Sequence, residues 1–226
     1  MKLFRVESAS KDLIIGSDIE SSGEYRNYLQ DTTNSKVQAM VLIEDCLDET
    51  YSTSIIEDCT NETNNTESLI RRDCLFAFHE LKDALIFSSN IYKGNAKIYS
   101  ITINSDSCIH RGDMNLIDLF NIIGTNNIDE SANKFFKKLC KGYWDSRHTH
   151  SHCYEYILKS ATVESVVCDE DECVKFHNEY TCTTSCSFLS VERCSIYQAK
   201  VKEVYTDICT DQPSKQIFDI TAYKNR

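Results

Sequence analysis

Apolar residues in this chain recur at two different spacings, which indicate two kinds of secondary structure. In KIYSITI, residues 97–103, β-branched and aromatic residues alternate as they do in β-strands. Shorter apolar or alternating segments at residues 2–6, 74–78, 154–158 and 163–167 are also predicted as strands. Strand spacing therefore accounts for much of the chain but not for all of it.

Three other segments show helical spacing. HELKDALIFSSN, residues 79–90, follows the strand at 74–78 directly and predicts a turn and a helix. Asp113 can cap a second helix over residues 114–123 through its side-chain oxygen. A third helix is predicted from about residue 129 to 139, with Gly142 after it. Helices and strands in this order predict an α+β fold.

Two stretches depart from this pattern. Residues 44–70 are rich in polar side chains and are predicted to form a surface insertion. After Cys168 the composition changes, and strand-like segments at 196–205 and 216–223 suggest a β-rich C-terminal appendage. We therefore expect a main domain over residues 1–167 and a cysteine-rich appendage over residues 168–226.

The charge and hydropathy of the chain limit its partners. Asp and Glu number 35 against 24 Lys and Arg, so the formal net charge is -11, which repels nucleic acid backbones and anionic lipid surfaces. No apolar run approaches the ~20 residues of a membrane span, and the first ten residues lack the apolar region of a secretory signal. These features predict an acidic cytoplasmic protein without a membrane partner.

The twelve cysteines are expected to be thiols, because a reducing compartment disfavours disulfides. Zinc binding by the tail is left open. The tail cysteines are spaced C-x4-C and C-x3-C, which fits the usual C-x(2-4)-C pairs of zinc sites only loosely. The tail thiols and the nearby imidazole are Cys168, Cys173, Cys182, Cys186, Cys194 and His177.

A second zinc candidate is the H-x-H-x-H run at His148, His150 and His152. On an extended strand these three imidazoles share one face. In an irregular loop they would not, and the run would then have no special role.

Six glycines and one proline leave no glycine-rich phosphate loop, so any nucleotide must be held in another way. Four residues in order along residues 1–167 give the chain a resemblance to the ADP-ribosyltransferase superfamily. Arg5 lies on the first strand, Phe76 and Phe87 lie on a strand and the next helix with Asp83-Ala84 between them, and Glu155 lies on a later strand in YEYIL. The stretch that carries Glu155 also looks similar to uncharacterised bacterial proteins.

The resemblance implies a split β-sheet core with flanking helices, NAD as substrate, and ADP-ribosyl transfer or NAD glycohydrolysis as the reaction. Glu155 would stabilise the oxocarbenium-like ribose, as carboxylates do in related glycosyl transition states. Arg5 would hold a phosphate or ribose oxygen, and Phe76 and Phe87 would clamp the nicotinamide ring.

Some positions depart from the family pattern. Phe76 and Phe87 stand where the family has tyrosine, and Arg5 stands where the branch with the paired tyrosines has histidine. Ser52-Thr53-Ser54 matches a motif of the other branch but lies in the polar insertion and is taken as a coincidence. Cys153 replaces the second acidic residue of the transferases that modify arginine, which disfavours arginine as acceptor.

Several acceptors stay open: a nucleic acid base, another side chain, a small molecule or water. A function of a different class is also open. The acidity of the chain and its lack of obvious catalytic motifs suit a non-enzymatic interaction or regulatory protein.

Overall fold

The computed structural model describes residues 1–30, 35–58, 71–104, 107–117, 130–181 and 191–204. Within these ranges the chain is a mixture of helices and antiparallel strands, which confirms the α+β class. It divides into two compact units, each built from separate stretches of sequence. No helix in the described ranges has the length and apolar character needed to cross a bilayer.

Seven strands are described. They are β1 (Lys2–Ser8), β2 (Asp18–Glu20), β3 (Leu75–Phe78), β4 (Ala96–Thr102), β5 (Cys108–Asp113), β6 (Tyr154–Leu158) and β7 (Ser160–Cys168). All five predicted strands of the first 167 residues are present, as β1, β3, β4, β6 and β7. Their apolar runs predicted them, whereas the short polar β2 and the mixed sequence of β5 gave no such pattern.

Besides the helical residues 114–117, six α-helices are described. They are α1 (Glu24–Tyr28), α2 (Ser35–Asp58), α3 (Leu81–Tyr92), α4 (Glu130–Trp144), α5 (Glu170–Thr181) and α6 (Ser195–Val204). Single 3-10 turns lie at Arg71–Asp73 and Val191–Arg193. The predicted helix after β3 is confirmed as α3.

The first unit contains residues 1–20, 76–109 and the described residues from 160 onward. Its strands lie in the order β2-β7-β4-β1-β3 and are antiparallel to their neighbours. The β1–β4 pairing runs unbroken from Lys2 opposite Thr102 to Ser8 opposite Ala96. Helix α3 packs on β1 and β4, and α5 packs on α3 and β4. Arg5, Phe76 and Phe87 all belong to this unit.

The turn after α3 requires glycine because it approaches α5 closely. Gly94 has φ +81°, and a Cβ there would lie 2.8 Å from both the Cys173 carbonyl oxygen and the Val174 Cα. Backbone atoms cannot move aside as a flexible side chain can, so only glycine fits. This contact fixes how α3 and α5 pack.

The second unit contains residues 21–75 and 110–159 where they are described. Helices α2 and α4 pack together in it, and the Trp144 indole nitrogen donates to the Leu47 carbonyl across 2.9 Å. Strands β5 and β6 are neighbours. The third predicted helix is confirmed as α4, but it continues through Gly142 to Trp144 rather than ending before that glycine.

The prediction of a surface insertion over residues 44–70 is wrong for residues 44–58, which lie in α2. Ile43, Leu47 and Thr50 are buried at helical spacing, and three of the four acidic residues between them form ion pairs with Arg71 or Arg72. The polar residues of this segment therefore belong to a helix and not to a loop. Residues 59–70 lie outside the described part, whereas Ser52-Thr53-Ser54 lies within α2.

The prediction of a β-rich C-terminal appendage is wrong for the described residues, which form α5 and α6. The residues predicted as a strand at 196–204 are helical. Asp169 and Glu172 form a capping box at the start of α5, each side chain accepting from the other's backbone N–H at 2.9 and 3.1 Å. This capping box favours a helix from the start of α5. The predicted strand at 216–223 lies outside the described residues.

Candidate functional site

Glu155 lies on β6 in the second unit and is 2 % exposed. Its Oε1 accepts a hydrogen bond from the Tyr143 hydroxyl at 2.6 Å. The same oxygen forms an ion pair with Nη2 of Arg71. The predicted catalytic carboxylate is therefore fixed from two directions by a helix residue and a residue of the 3-10 turn.

Arg71 connects Glu155 to a second buried carboxylate. Its Nη1 forms an ion pair with Oε1 of Glu44 on α2, and that oxygen also accepts from the Tyr25 hydroxyl at 2.7 Å. The guanidinium lies over the Tyr143 ring, 5.8 Å from its centroid. We call Tyr25, Glu44, Arg71, Tyr143 and Glu155 the Arg71 cluster.

Gly112 on β5 makes room for the ring at the centre of the Arg71 cluster. A Cβ at this position would lie 2.0 Å from Cε2 of Tyr143, far inside van der Waals contact. Tyr143 itself is 0 % exposed, so its ring has no open space into which it can move. The glycine is thus required for the position of the hydroxyl that binds Glu155.

The Arg71 cluster holds two carboxylates and one guanidinium, so it is formally one negative charge in excess. Burial raises the pKa of Glu44, and Arg71 opposes this only in part. Burial alone would lower the pKa of Arg71, but Glu155 and Glu44 raise it, so the guanidinium stays charged. Burial, with Glu155 next, raises the pKa of Tyr143 well above its usual value, so its hydroxyl is a permanent donor.

One atom of the Arg71 cluster is not satisfied. Oε2 of Glu44 is buried and has no hydrogen-bond partner among the described residues. A buried unpaired carboxylate oxygen is costly, and protonation removes that cost. The raised pKa of Glu44 has the same cause, since burial disfavours its charged form.

His110 packs against Tyr143 and is half-buried. Its Nε2 lies 2.9 Å from the Tyr143 carbonyl oxygen; because a carbonyl only accepts, Nε2 carries the proton. The ring packs on those of Tyr143 and Trp144, with centroids 5.1 and 4.8 Å away. Burial lowers the pKa of His110 to about 4, so the imidazole is neutral near neutral pH.

Two of the other predicted site residues are in contact in the first unit. Nη1 of Arg5 donates to the backbone oxygen of Phe76 across 2.7 Å, which joins β1 to β3. The same guanidinium pairs with the buried Glu7 at 2.8 Å. The Arg5 guanidinium is therefore half-buried and already bound to groups of its own unit.

Phe87, the second residue of the predicted aromatic slot, packs on Phe78 with ring centroids 5.1 Å apart. Phe78 lies two residues beyond Phe76 and hence on the same face of β3. Tyr92 adds an edge contact to Phe87 at 6.2 Å. The aromatic residues predicted to hold nicotinamide thus belong to one aromatic face of the first unit.

Asp113 organises the histidine-rich turn. It is 0 % exposed, and its carboxylate accepts from the backbone N–H groups of Asn115, Thr149 and Cys153 at 3.0, 2.7 and 2.9 Å. Residues 114–117 are helical, so the predicted capping role of Asp113 is confirmed. Residues 118–123 of that predicted helix lie outside the described part. Cys153 is half-buried, immediately before β6.

Of the two alternatives left open for His148, His150 and His152, the structure shows the irregular loop, because this segment forms turns held by Asp113. The rings of His148 and His152 nevertheless lie 5.8 Å apart, and His152 packs on Tyr154 at 4.4 Å. Burial, with His152 next, lowers the pKa of His148.

Three tail cysteines are buried in the first unit: Cys168, Cys173 and Cys194. Burial raises the pKa of the Cys173 thiol to about 12. Cys182 and Cys186 lie outside the described residues. Within the described ranges, no three His, Cys, Asp or Glu side chains are grouped so as to hold a metal ion.

The sequence did not reveal Glu44, Arg71 or Tyr143. Arg71 and Glu44 lie in or beside the stretch assigned to a surface insertion, and Tyr143 lies beyond the predicted end of its helix. A carboxylate buried on β6 needs a cation nearby. Arg71, in an otherwise acidic part of the sequence, was the signal that could have identified this cation.

No protein-family model matches this sequence, and comparison with curated proteins finds no match.

Proposed function

We propose that the protein is an ADP-ribosyltransferase-like enzyme that cleaves the nicotinamide–ribose bond of NAD, with Glu155 as the stabilising carboxylate. The observation that supports this is the fixed position of Glu155, whose Oε1 is held by Arg71 and by Tyr143 at 2.6 Å. A preorganised anion stabilises developing positive charge without first having to reorient. The order of β1, β3, α3 and β6 along the chain also agrees with the resemblance.

In this mechanism the bond between the ribose C1′ and the nicotinamide nitrogen breaks, and its electron pair leaves with neutral nicotinamide. The positive charge that develops on the ribose is stabilised by the Glu155 carboxylate, which also accepts from the 2′-hydroxyl. Water or another nucleophile then adds to C1′ and loses a proton. With water the products are ADP-ribose, nicotinamide and a proton.

The reaction requires the ribose to reach Glu155, whose side chain is 3 % exposed. Neighbouring side chains must therefore move when the substrate binds, as closing and opening segments do in many enzymes. Arg5, Phe76 and Phe87 are proposed to hold NAD, and a split-sheet ADP-ribosyltransferase fold and a cytoplasmic location are parts of the same proposal. Cys153 in place of a second acid favours an acceptor other than arginine.

The test is release of nicotinamide from labelled NAD by the full chain, with and without cell extract as a source of acceptor. Glu155→Gln is expected to reduce release by roughly 100-fold, in the range seen when a transition-state contact is lost. Glu164→Gln, a substitution at an exposed position on β7, is expected to retain the wild-type rate.

Glu44→Gln is the decisive control, because Glu44 and Glu155 bind the same guanidinium. If Glu155 acts on the substrate, Glu44→Gln keeps most of the activity while Glu155→Gln loses it at equal folded fraction. Equal losses in both variants would show a structural role instead. No nicotinamide release by the wild type, together with no NAD-dependent shift in Tm, would reject the proposal.

A second candidate function is that of a non-enzymatic acidic interaction protein. The specific observation in its favour is that Glu155 is buried and already paired with Arg71, as a residue that stabilises the fold would be. The net charge of -11 then suits a basic partner. Under this candidate the nicotinamide assay gives no turnover, and Glu155→Gln lowers only the stability.

A further inference from the structure

Two cysteines face each other where α2 and α4 pack together. Sγ of Cys140 lies 3.3 Å from Sγ of Cys46, and the two residues are 94 positions apart in the sequence. A disulfide has an S–S distance of about 2.05 Å, so the two sulfurs need to approach by roughly 1.3 Å to bond. Rotation about the Cα–Cβ bonds moves sulfur atoms by this much without a large shift of the helices.

The two thiols differ in environment. Cys46 is half-buried and Cys140 is buried. The Cys140 S–H points at Cys46, and this hydrogen bond lowers the pKa of the Cys46 thiol, while burial opposes it. The same hydrogen bond, with burial next, raises the pKa of Cys140. Cys46 is thus both the more accessible thiol and the one that ionises first.

Charged neighbours lie one turn away on each helix. The Lys137 ammonium on α4 pairs with the Glu49 carboxylate on α2 at 2.8 Å, and both side chains are exposed. Lys137 contributes to lowering the pKa of Cys46, and Glu49 acts against it. The dithiol therefore lies at the edge of the α2–α4 contact, where a small reagent can reach Cys46.

We propose that Cys46 and Cys140 are a redox-active dithiol that forms a reversible disulfide with a low-molecular-weight disulfide as the oxidant. The remaining cysteines are expected to stay thiols under the same conditions. This inference stands on the α2–α4 geometry and does not depend on the proposed function.

The exchange proceeds in two steps. The Cys46 thiolate attacks one sulfur of the reagent RSSR, the S–S bond breaks, and RS⁻ leaves, which gives a mixed disulfide on Cys46. Cys140 then loses its proton, and its sulfur attacks Sγ of Cys46 and displaces the second RS⁻. Two protein thiols are oxidised, one RSSR is reduced to two RSH, and the two thiol protons end on the leaving thiolates.

The crosslink would join the helix that carries Glu44 to the helix that carries Tyr143. Closing a loop of this length removes conformational freedom from the unfolded chain. An increase in apparent Tm of roughly 5–10 °C is expected for the oxidised protein relative to the reduced one. Dithiothreitol is expected to reverse it.

The test uses the full chain, equilibrated with defined ratios of reduced and oxidised glutathione. Free thiols are then alkylated, and disulfide-linked peptides are mapped by mass spectrometry. We expect a peptide pair linking Cys46 to Cys140, formed at a lower proportion of oxidised glutathione than any other link. Because the mapping uses wild-type protein, it does not depend on the folding of any variant.

Cys46→Ser and Cys153→Ser provide matched controls, since both positions are half-buried in the second unit. Cys46→Ser is expected to abolish the oxidation-dependent increase in Tm, and Cys153→Ser to retain it. The inference is overturned if Cys46 and Cys140 are both still alkylated when other links have formed. It is also overturned if Cys46→Ser shows the same increase in Tm as the wild type.

Discussion

The Tyr143 hydroxyl donates to Oε1 of Glu155 across 2.6 Å, from the last turn of α4 to the second residue of β6. Arg71 binds the same oxygen. A carboxylate that is bound by two donors on different elements resists both rotation and displacement. Through this one oxygen atom, β6 is connected to α4 and to the 3-10 turn.

Replacing Arg71 with methionine should be strongly destabilising. The substitution leaves the carboxylates of Glu44 and Glu155 buried without their shared cation, and removal of one partner of a buried ion pair typically costs about 3–5 kcal/mol. Urea denaturation near neutral pH measures this loss. Arg72→Met, which breaks partly exposed pairs with Asp45 and Asp48, is the control and should cost less, about 1 kcal/mol. Equal losses in the two variants would contradict a buried role for Arg71.

Tyr143→Phe isolates the hydroxyl from the ring. Because the hydroxyl donates to a buried carboxylate, its removal should lower the free energy of unfolding by about 1.5–3 kcal/mol. Tyr28→Phe is the matched control, since Tyr28 is 49 % exposed, and its free energy of unfolding should be nearly unchanged. A loss in Tyr143→Phe no larger than that of the control would show that Glu155 does not need this donor.

The low pKa of His110 predicts an acid-dependent loss of stability. Burial lowers it from about 6.5 to about 4 in the folded protein, so between these values the unfolded chain binds a proton that the folded chain does not. The free energy of unfolding should therefore fall as the pH falls from 6.5, by up to roughly 3 kcal/mol at pH 4 from this residue.

Denaturation series at several pH values, compared between variants, measure this contribution. His110→Gln should show a shallower decrease between pH 6.5 and 4 than the wild type, because it removes the titrating group. His150→Gln, at an exposed position, should leave the wild-type slope in place. An unchanged slope in His110→Gln would contradict the assignment.

Gly112→Ala should displace the Tyr143 ring. The added methyl group would overlap Cε2 and Cζ of that ring, at 2.0 and 2.3 Å, and overpacking of a buried site typically costs about 1–3 kcal/mol. The double variant with Tyr143→Leu tests the cause, because leucine lacks the overlapping atoms. The cost of Gly112→Ala should be smaller in that background; an equal cost would place the strain elsewhere.

Five of the seven described strands were predictable, because each of the five carries an apolar or alternating run in its own sequence. Residues 97–103 show this best, since β4 occupies 96–102. The capping role of Asp113 was predictable for a similar reason, as an N-cap depends on neighbours two residues away. Local signals of this kind require no knowledge of the tertiary contacts.

The Arg71 cluster was not predictable in the same way. Its residues come from five separate elements, and nothing near Glu44 in sequence shows that Arg71 neutralises it 27 positions later.

The C-terminal tail was not predictable either, because the residues with strand-like alternation at 196–204 form helix α6. There the backbone N–H and hydroxyl of Ser195 bond to the carboxylate of Glu179 on α5, at 2.6 and 2.5 Å. Long-range partners of this kind can override local propensity.

The position of β1 within its sheet also constrains how the chain can be made. β1 has β4 on one side and β3 on the other, and β4 in turn needs β7, which ends at Cys168. During synthesis from the N-terminus, β1 has both of its neighbours once β4 ends at Thr102, whereas β4 lacks β7 on its other edge until Cys168 has been made. Until then that edge of β4 presents unpaired backbone groups, and it is the part of the sheet that a chaperone would meet.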